Sequence, residues 1–302
     1  MIEAATIIAY KAFGFTISSE FSFPELLTNE QSSEVDIKIV KGDLTEIWNI
    51  TAKQPGKFVV EDQMVMFQIP DTAIFCITDG RVITISPEAG SSEDKIRLYI
   101  LGTCMGVLLM QRRVLPLHGS AIAINGKAYA FVGHSGAGKS TLANVLLNKG
   151  YPLLSDDVIA VSLSQENKPV VIPSYPQQKL WQESIHILGM DNTHYQPLFE
   201  RETKYAVPVP SQYYAEPLPL AGVFELMKSD HTEIQFDSIL GLDRLHTLFH
   251  HTYRNFLISR LGLLDWHFRT SASITNEIDM IRIRRPVDGF TATQLASLII
   301  NF

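Results

Sequence analysis

Residues 128 to 161 read AYAFVGHSGAGKSTLANVLLNKGYPLLSDDVIAV, which predicts a strand, a glycine-rich loop, a helix and a second strand in that order. The loop from Gly133 to Ser140 matches the pattern G-x-x-x-x-G-K-[ST] at every fixed position. In such a loop, glycines let backbone N–H groups turn inward around a phosphate, and the positive end of the following helix adds attraction. The predicted phosphate-binding residues are Gly133, His134, Ser135, Gly136, Ala137, Gly138, Lys139, Ser140 and Thr141.

Two further features agree with a nucleotide site. Lys139 is expected to reach the β- and γ-phosphates, and the Ser140 hydroxyl is placed to ligate Mg²⁺. The acid pair Asp156 and Asp157 follows at the end of the next apolar run. Strand, loop, helix, strand and acids therefore occur in the order that binding of a nucleotide requires.

The spacing of the acids restricts the class of nucleotide-binding protein. Asp156 follows Lys139 by only 17 positions, whereas ABC-type ATPases place the second acid much further on, and no LSGGQ-like signature occurs. The N-K-x-D motif of GTPases is also missing, because neither Asn148-Lys149 nor Asn167-Lys168 is followed by the required Asp. Small-molecule kinases of the shikimate-kinase type do carry acids on this strand and remain an alternative.

The two neighbouring acids suggest a division of roles. Adjacent strand residues point to opposite faces, so Asp156 and Asp157 can both reach one site only if the chain leaves regular geometry there. Two carboxylates beside a phosphate are costly without a metal or a proton to balance them. One acid would lie near Mg²⁺ and the other would accept the proton of an attacking hydroxyl.

Composition and charge restrict the partners. The chain has 302 residues, 46% of them hydrophobic and 19% charged, as in an ordinary globular protein. A formal charge of −7 argues against a general nucleic-acid or anionic-membrane binder. Cys76 and Cys104 both lie in apolar runs without metal-ligand spacing, which predicts small buried hydrophobes. No signal peptide is evident, so we expect a cytoplasmic protein.

The first part of the chain predicts a separate β-rich domain, residues 1–90, with a structural or substrate-recognising role. Short strand-like runs alternate with turn signals there, and Asp79-Gly80 is a hairpin candidate. A single buried helix is predicted over 91–113, with a capping box formed by Ser91 and Asp94. We assign this linker helix to a second, catalytic domain, residues 91–302. The predicted strand-like runs are Thr6–Tyr10, Phe13–Ile17, Val35–Val40, Lys57–Glu61, Met64–Ile69, Ala73–Thr78 and Arg81–Ser86.

Residues flanking the phosphate loop add further candidates. Asn125-Gly126 predicts a tight hairpin turn, so the strand before the loop gains an antiparallel neighbour. His118 lies at the far end of that neighbour, where a lone histidine is more often structural than catalytic. Downstream, residues 177–188 read as a helix, and 189–220 as a loop-rich segment of the kind that often covers a substrate.

The run LPLHGSAIAINGKAYAFVGHSGAGKSTLANVLLNKGYPLLSDDVIAV resembles the catalytic core of the HPr kinase/phosphorylase superfamily. That resemblance implies a mixed α/β (α+β) fold like that of PEP carboxykinase, with the phosphate loop in a mixed sheet. It also implies three roles: Asp156 as the proton-accepting acid, Asp157 near the metal with Ser140, and His118 as an active-site histidine. The bacterial enzymes carry a signature like L-E-I-R-G-L-G-I after the core, which is absent here at Ile185–Asp191, and this disfavours HPr as the substrate.

A closer resemblance is to the HPr-kinase-like proteins of peptide natural-product clusters, notably lasso-peptide kinases. The shared runs are Tyr10–Phe15, Phe23–Leu26, Glu202–Tyr205, Thr252–Arg254 and Arg284–Pro286. This resemblance implies ATP- and Mg²⁺-dependent phosphorylation of a serine hydroxyl, the C-terminal serine, on a precursor peptide. The HPr enzymes assemble into hexamers, so homo-oligomerisation is an option.

Our interpretation is therefore a peptide serine kinase whose catalytic residues are Asp156, His118 and Lys139. Lys204, Arg254 and Arg285 are candidates for holding a phosphate or a peptide carboxylate, with an ordinary ion pair as the alternative for each. Two other functions stay open: a non-catalytic ATP-binding regulator of peptide maturation, and a small-molecule kinase.

Overall fold

The structure is a computed structural model that describes residues 8–28, 34–52, 58–191, 193, 195–198 and 201–301. The chain divides into two compact units. The first comprises residues 1–114 and 256–263, and the second comprises 115–255 and 264–302. The predicted division after residue 90 differs from this grouping, because residues 91–113 belong to the first unit.

The first unit contains a mixed sheet with the strand order β3-β1-β2-β4-β8-β7-β6-β5. Strands β2, β4 and β8 are parallel neighbours, and the other described pairs are antiparallel. The strands are β1 (Ile8–Ala12), β2 (Phe15–Ser19), β3 (Leu27–Thr28), β4 (Ile37–Lys41), β5 (Phe58–Glu61), β6 (Met64–Ile69), β7 (Ala73–Thr78) and β8 (Val82–Pro87).

The β-rich prediction for this part of the chain is confirmed in its main elements. Each predicted run overlaps a strand, although Thr6, Ile7 and Lys57 lie outside the described residues. Asp79 and Gly80 both adopt positive φ, 54° and 60°, as a tight hairpin turn between β7 and β8 requires. Helix α1 (Thr45–Thr51) was missed, because it buries none of its residues and so leaves no apolar period in the sequence.

The predicted helix over 91–113 is interrupted in the structure. It consists of α2 (Glu93–Tyr99), a buried π-helical stretch at Ile100–Cys104 and α3 (Met105–Gln111). The predicted capping box is wrong: Ser92 occupies the N-cap position without a side-chain hydrogen bond, and Asp94 binds Arg97 at 2.5 Å instead. The cysteine prediction is confirmed, since Cys76 and Cys104 are both buried and free.

The second unit is built on a mixed sheet ordered β10-β9-β11-β12-β16-β18-β17, with an additional pairing of β10 with β16. The phosphate-loop strand β10 therefore lies between antiparallel β9 and parallel β16. A smaller antiparallel sheet has the order β13-β15-β14. The strands are β9 (Leu115–Ile124), β10 (Lys127–Gly133), β11 (Leu153–Leu163), β12 (Pro169–Ile172), β13 (Gln177–Trp181), β14 (Gln196–Leu198), β15 (Arg201–Pro208), β16 (Leu218–Ser229), β17 (Gln235–Ser238) and β18 (Asp279–Pro286).

Two predictions for this unit have clear outcomes. The Asn125-Gly126 turn is confirmed, with φ values of 50° and 75° between β9 and β10. The predicted helix over 177–188 is wrong in its first half, because 177–181 forms β13 and pairs with β15.

The α-helices that follow α3 are α4 (Lys139–Asn148), α5 (Gln182–Ile187), α6 (Leu242–His251), α7 (Phe256–Arg260), α8 (Leu264–Glu277) and α9 (Ala292–Ile300). Helix α7 belongs to the first unit, and the others belong to the second.

Both faces of the large sheet in the second unit are buried. On one face, α4 and α9 pack their apolar side chains against Phe131 and Phe224, whose rings stack at 5.7 Å. On the other face, Leu248 of α6 and Ile274 of α8 cover Val132 and Val223. Burial on both faces holds β10 rigidly and fixes the direction in which its loop leaves the sheet. Among the described residues, no helix has the length and apolarity needed to cross a membrane.

The close approach of β9 to β10 gives a prediction on stability. A Cβ on Gly119 would lie 2.1 Å from the backbone oxygen of Phe131, so Gly119→Ala must separate the two strands. We expect a loss of about 3 kcal/mol or more in the free energy of unfolding, measured by urea denaturation. Gly222→Ala is the matched control, since its Cβ would meet neighbours at an ordinary 3.4 Å. Equal stabilities for the two variants would contradict the packing described.

Candidate active site

The loop between β10 and α4 owes its shape to glycines with positive φ. Gly133, Gly136 and Gly138 have φ values of 147°, 78° and 104°, which residues with a side chain rarely adopt. Gly133 is also sterically restricted, because a Cβ there would lie 2.5 Å from the carbonyl oxygen of Leu226 on β16. The loop therefore places consecutive backbone amides at the start of α4, as phosphate binding requires.

Lys139 is buried and is held against the loop itself. Its Nζ donates to the carbonyl oxygens of Gly133 at 2.8 Å and His134 at 3.1 Å. Burial lowers the pKa of Lys139, the charge of Lys204 lowers it further, and Asp156 opposes both effects. The two carbonyl contacts hold the ammonium beside the loop, where it would contact a bound phosphate.

Arg285 supports the loop from β18. Its Nε donates to the carbonyl oxygen of Ala137 at 2.9 Å, and the guanidinium lies 3.5 Å from the place a Cβ on Gly138 would occupy. The sequence suggested phosphate or carboxylate binding for this residue. The structure gives Arg285 a contact with the loop backbone, which is a positioning role.

Asp156 is the buried centre of the site, with only 4% of its surface exposed. Its Oδ1 accepts hydrogen bonds from Ser120 Oγ at 2.5 Å and Ser140 Oγ at 3.0 Å. Its Oδ2 accepts the backbone N–H of Lys179 at 2.7 Å. One carboxylate thus connects β9, α4 and β13 to its own strand, β11.

Asp157 reaches the same region because the chain leaves regular geometry at this residue. Its φ is +74°, and the register of β11 against β9 shifts between Leu153 and Ser155. Its Oδ2 accepts the Nζ of Lys179 at 2.6 Å. Burial alone would raise the pKa of Asp157, but the charges of Lys179, His118 and Lys204 outweigh it and hold the pKa well below its usual range.

The hydrogen bonds pair Ser140 with Asp156, whereas the sequence analysis had expected Ser140 beside Asp157. The difference has a physical cause. Lys179 enters between the two acids, binding Asp156 through its backbone and Asp157 through its ammonium. Asp157 is thereby turned toward β13 and the histidine on β9.

Lys179 is the main residue that the sequence analysis missed. Its side chain is only 6% exposed, and the pairing with Asp157 raises its pKa against the opposing effect of burial. The run Gln177-Gln178-Lys179-Leu180-Trp181 contains no motif, and its sequence suggested a helix. The available signal was weak, namely the β-favouring Trp181 at its end.

His118 lies beside the acid pair, as its predicted role requires. Its Nδ1–H donates to the backbone oxygen of Asp157 at 3.0 Å. Burial lowers the pKa of His118, as do the charges of Lys139 and Lys204, while Asp157 opposes them. The imidazole ring packs against Tyr253 at a centroid distance of 5.7 Å.

The structure also brings two downstream basic candidates toward the acids. Lys204 on β15 lies over the ring of Trp181 at 5.5 Å, and its charge affects the pKa values of Lys139, His118 and Asp157. Arg254 lies at 5.7 Å over the ring of Tyr253, which itself contacts His118. Glu202, from the same predicted run as Lys204, has a side chain outside the described set.

The donor set suits magnesium bound together with a phosphorylated substrate. Ser140 Oγ and Asp156 Oδ1 are neighbouring oxygen atoms, and Mg²⁺ commonly uses one or two carboxylates with substrate phosphates and water. In the described part of the chain, no group of three or more His, Cys, Asp or Glu side chains is arranged to hold a metal ion by itself. Binding of the ion would therefore depend on the phosphates.

Comparison with known proteins gives one partial sequence similarity. The chain is 37% identical over 70 residues to an HPr kinase/phosphorylase of Mycoplasmopsis pulmonis, a segment that covers 22% of this chain and 23% of that relative. No family model matches the chain. The sequence similarity supports a relationship to the HPr kinase/phosphorylases for this segment, which spans about a quarter of that relative.

A solved structure is also similar, at a level that supports no conclusion. The Hpr(Ser) kinase/phosphatase from Coxiella burnetii aligns with 62% of this chain and 91% of its own, at 14% identity. The TM-score of this alignment is 0.32.

The Lys179–Asp157 ion pair gives a prediction on stability. Lys179→Met leaves the carboxylate of Asp157, whose side chain is 17% exposed, without its ion-pair partner, which costs up to about 3 kcal/mol. We expect a loss of this size at about pH 7 in urea denaturation. The variant that also carries Asp157→Asn removes both charges and should recover part of the loss.

The pH dependence of this effect follows from the lowered pKa of Asp157. The contribution of the pair is complete above the unfolded pKa of about 4 and decreases as the pH falls toward the lower folded value. The stability difference between wild type and Lys179→Met should therefore shrink in acid. A difference that stays constant into acid, or no difference at neutral pH, would contradict the ion pair.

Proposed function

We propose that the chain is a cytoplasmic phosphotransferase that moves the γ-phosphoryl group of ATP to a serine hydroxyl on a peptide. The observation that carries the proposal is the hydrogen bond of 3.0 Å between Ser140 at the start of α4 and Asp156 of the acid pair. It brings the phosphate loop and the two carboxylates into one site. The sequence similarity to a protein named as a kinase supports the same class of reaction.

The loop and Lys139 would bind the phosphates of ATP. The backbone N–H groups at the start of α4 provide donors, and the positive φ of Gly136 and Gly138 directs the chain around them. The Nζ of Lys139 would exchange its carbonyl partners for phosphate oxygens, which carry a full negative charge. Because the transition state of phosphoryl transfer is loose, positioning and neutralisation of charge supply most of the rate.

The contacts favour a division of roles between the acids that is the reverse of the one expected from the resemblance. Asp156 Oδ1, beside Ser140 Oγ, is placed to hold Mg²⁺ with the phosphates. The ion would supply neutralisation of charge on the transferring group. Ser120 and the backbone of Lys179 hold the carboxylate of Asp156 in place through hydrogen bonds of 2.5 and 2.7 Å.

Asp157 would then receive the serine proton. Because Lys179 holds the pKa of Asp157 low, the proton would pass late, after the bond to phosphorus has formed. Its Oδ2 is engaged by Lys179, while Oδ1 lies 3.6 Å from His118 Nδ1. In the reaction, the serine oxygen forms a bond to the γ-phosphorus and the bond from that phosphorus to the bridging oxygen breaks. The hydroxyl proton passes to Asp157 Oδ1, and ADP leaves. His118, fixed by its bond to the Asp157 backbone, would orient the acceptor.

A peptide ending in serine fits the charges around the acceptor side. Lys204 acts electrostatically on His118 and Asp157, and Arg254 lies next to Tyr253, so positive charge borders this side of the site. A peptide C-terminal carboxylate would be attracted by this charge. We therefore extend the proposal to the C-terminal serine of a precursor peptide, as in the lasso-peptide kinases that the sequence resembles.

Phosphorylation of peptides in vitro tests the proposal. The protein is incubated with ATP, Mg²⁺ and short peptides that end in serine, and the products are weighed by mass spectrometry. We expect a mass gain of one phosphate on the peptide and none on a matched peptide that ends in alanine. A phosphate on a metabolite without dependence on peptide would indicate a small-molecule kinase. Nucleotide binding without any transfer would indicate a regulator, and either result would overturn the proposal.

Substitutions in the loop and the acid pair test the assigned roles. Lys139→Ala should weaken nucleotide binding and reduce turnover by about 100-fold or more. Asp157→Asn should keep nucleotide binding and lose turnover at saturating Mg²⁺, by about 100-fold or more. Asp156→Asn should instead raise the Mg²⁺ concentration needed for half-maximal rate.

The control is Asp265→Asn, which removes an exposed carboxylate paired with Arg269 on α8 and should change neither quantity. Full activity in Asp157→Asn would remove the assigned proton acceptor. A shifted Mg²⁺ requirement in Asp157→Asn, but not in Asp156→Asn, would restore the division expected from the resemblance.

A further inference from the structure

A cluster of imidazole rings borders the phosphate loop. It consists of His134, His246, His250 and His251, which we call the histidine cluster. The ring of His134, in the loop, lies 5.0 Å from that of His250 and 6.1 Å from that of His251. His246 and His250, one turn apart on α6, have nearly parallel rings 6.0 Å apart. The mechanism proposed above uses none of these side chains.

The cluster has one buried member and three exposed ones. His251 is 5% exposed, and its Nε2 lies 2.9 Å from Glu225 Oε1 on β16. Glu225 is also bound by Arg282 of β18, so its charge is shared. His134, His246 and His250 are exposed, and within the part of the chain that the structure describes none of them forms an ion pair with a carboxylate.

The charged groups around His250 oppose its protonation. Burial lowers the pKa of His250, and the charges of His251, His134 and His246 lower it further, whereas Glu225 raises it. On the loop side, the ammonium of Lys139 binds the carbonyl of His134 and adds positive charge. The positive charge of a protonated cluster is therefore not balanced by neighbouring carboxylates, and an anion bound among the rings would balance it.

The position of the histidine cluster next to the phosphate loop indicates which kind of ligand it would bind. The cluster is continuous with the loop, because His134 directly follows Gly133 and the backbone of His134 already binds Lys139. A transition metal is the other ligand that histidines favour. Within the described residues, however, no group of three or more such side chains is arranged to hold a metal ion. Phosphate oxygens are therefore the better match.

We propose that His134, His246 and His250 form a subsite for a phosphate group beside the loop, and that this group binds together with protons. The phosphate comes either from the tail of the nucleotide, in which case the inference rests on the proposed function, or from a free phosphate or pyrophosphate. Imidazolium N–H groups would donate charge-assisted hydrogen bonds to its oxygens.

The pH dependence has a definite sign. An anion in the subsite stabilises the protonated form of His250 and so raises the pKa of His250 relative to the anion-free protein. Protons are then taken up on binding, and affinity rises as the pH falls through the pKa values of the bound state. Each pKa unit of difference corresponds to about a tenfold change in affinity.

Calorimetric titrations at two pH values test the subsite. ADP and inorganic pyrophosphate are titrated into wild type and into the variant His246→Gln/His250→Gln at about pH 6 and about pH 8, in buffers of different ionisation enthalpy. The protonation of the ligand itself is the same for both proteins and cancels in the difference. His231→Gln, in the exposed segment after β16, is the matched control. Thermal unfolding checks that each variant is folded.

We expect wild type to gain about tenfold more affinity than the double variant between the higher and the lower pH, with uptake of protons that the variant loses. The control should behave as wild type. If wild type and the double variant differ in the pH dependence of ADP binding alone, the phosphate comes from the tail of the nucleotide. If they differ in the pH dependence of pyrophosphate binding as well, the subsite accepts a free phosphate. Equal pH dependence and equal proton uptake in wild type and variant would overturn the inference.

Three further outcomes separate this inference from a metal site and from the proposed function. Tight binding of Zn²⁺ that the double variant loses, without an effect on phosphate binding, would replace the anion by a metal and overturn the subsite. Proton-coupled binding of pyrophosphate in a protein that phosphorylates no peptide would sustain the subsite while the proposed function fails. Phosphorylation of peptide with equal binding by wild type and variant would sustain the proposed function and overturn the subsite.

Discussion

The rest of the site depends on the hydrogen bonds that the carboxylate of Asp156 accepts. A buried charge is tolerated only if it is fully hydrogen-bonded, and this one accepts bonds from Ser120, Ser140 and the backbone of Lys179. The three donors come from β9, α4 and β13, elements that lie far apart in the sequence. Because a single group satisfies all of them, the loop, the acid pair and β9, which carries His118, keep one relative geometry.

Local chemistry was enough to predict the parts of the site that lie close together in the chain. The glycine loop, its strand and helix, and the Asn125-Gly126 turn follow from backbone requirements that the residues reveal directly. The expectation that the acid pair needs irregular backbone agrees with the positive φ of Asp157. These features depend on only a few consecutive residues, which explains why the sequence alone was informative.

The features that the sequence did not predict depend on contacts between distant segments. Lys179 matters because β13 pairs with β15 and passes beside the acids, and nothing in its own neighbourhood signals an ion pair. Which of the two acids Ser140 binds likewise depends on the position of Lys179 between Asp156 and Asp157. The histidine cluster arises from the packing of α6 against the loop, so its members look like unrelated residues in the sequence.

The most direct test of the central claim is a crystal structure of the protein with Mg²⁺ and a non-hydrolysable ATP analogue. The account predicts phosphate oxygens within hydrogen-bond distance of the amides at the start of α4. It also predicts a metal ion bound by Ser140 Oγ with Asp156 beside it, and Asp157 Oδ1 facing the γ-phosphate. A nucleotide bound away from the Gly133–Ser140 loop, or a metal ion in contact with neither Ser140 nor Asp156, would contradict the account.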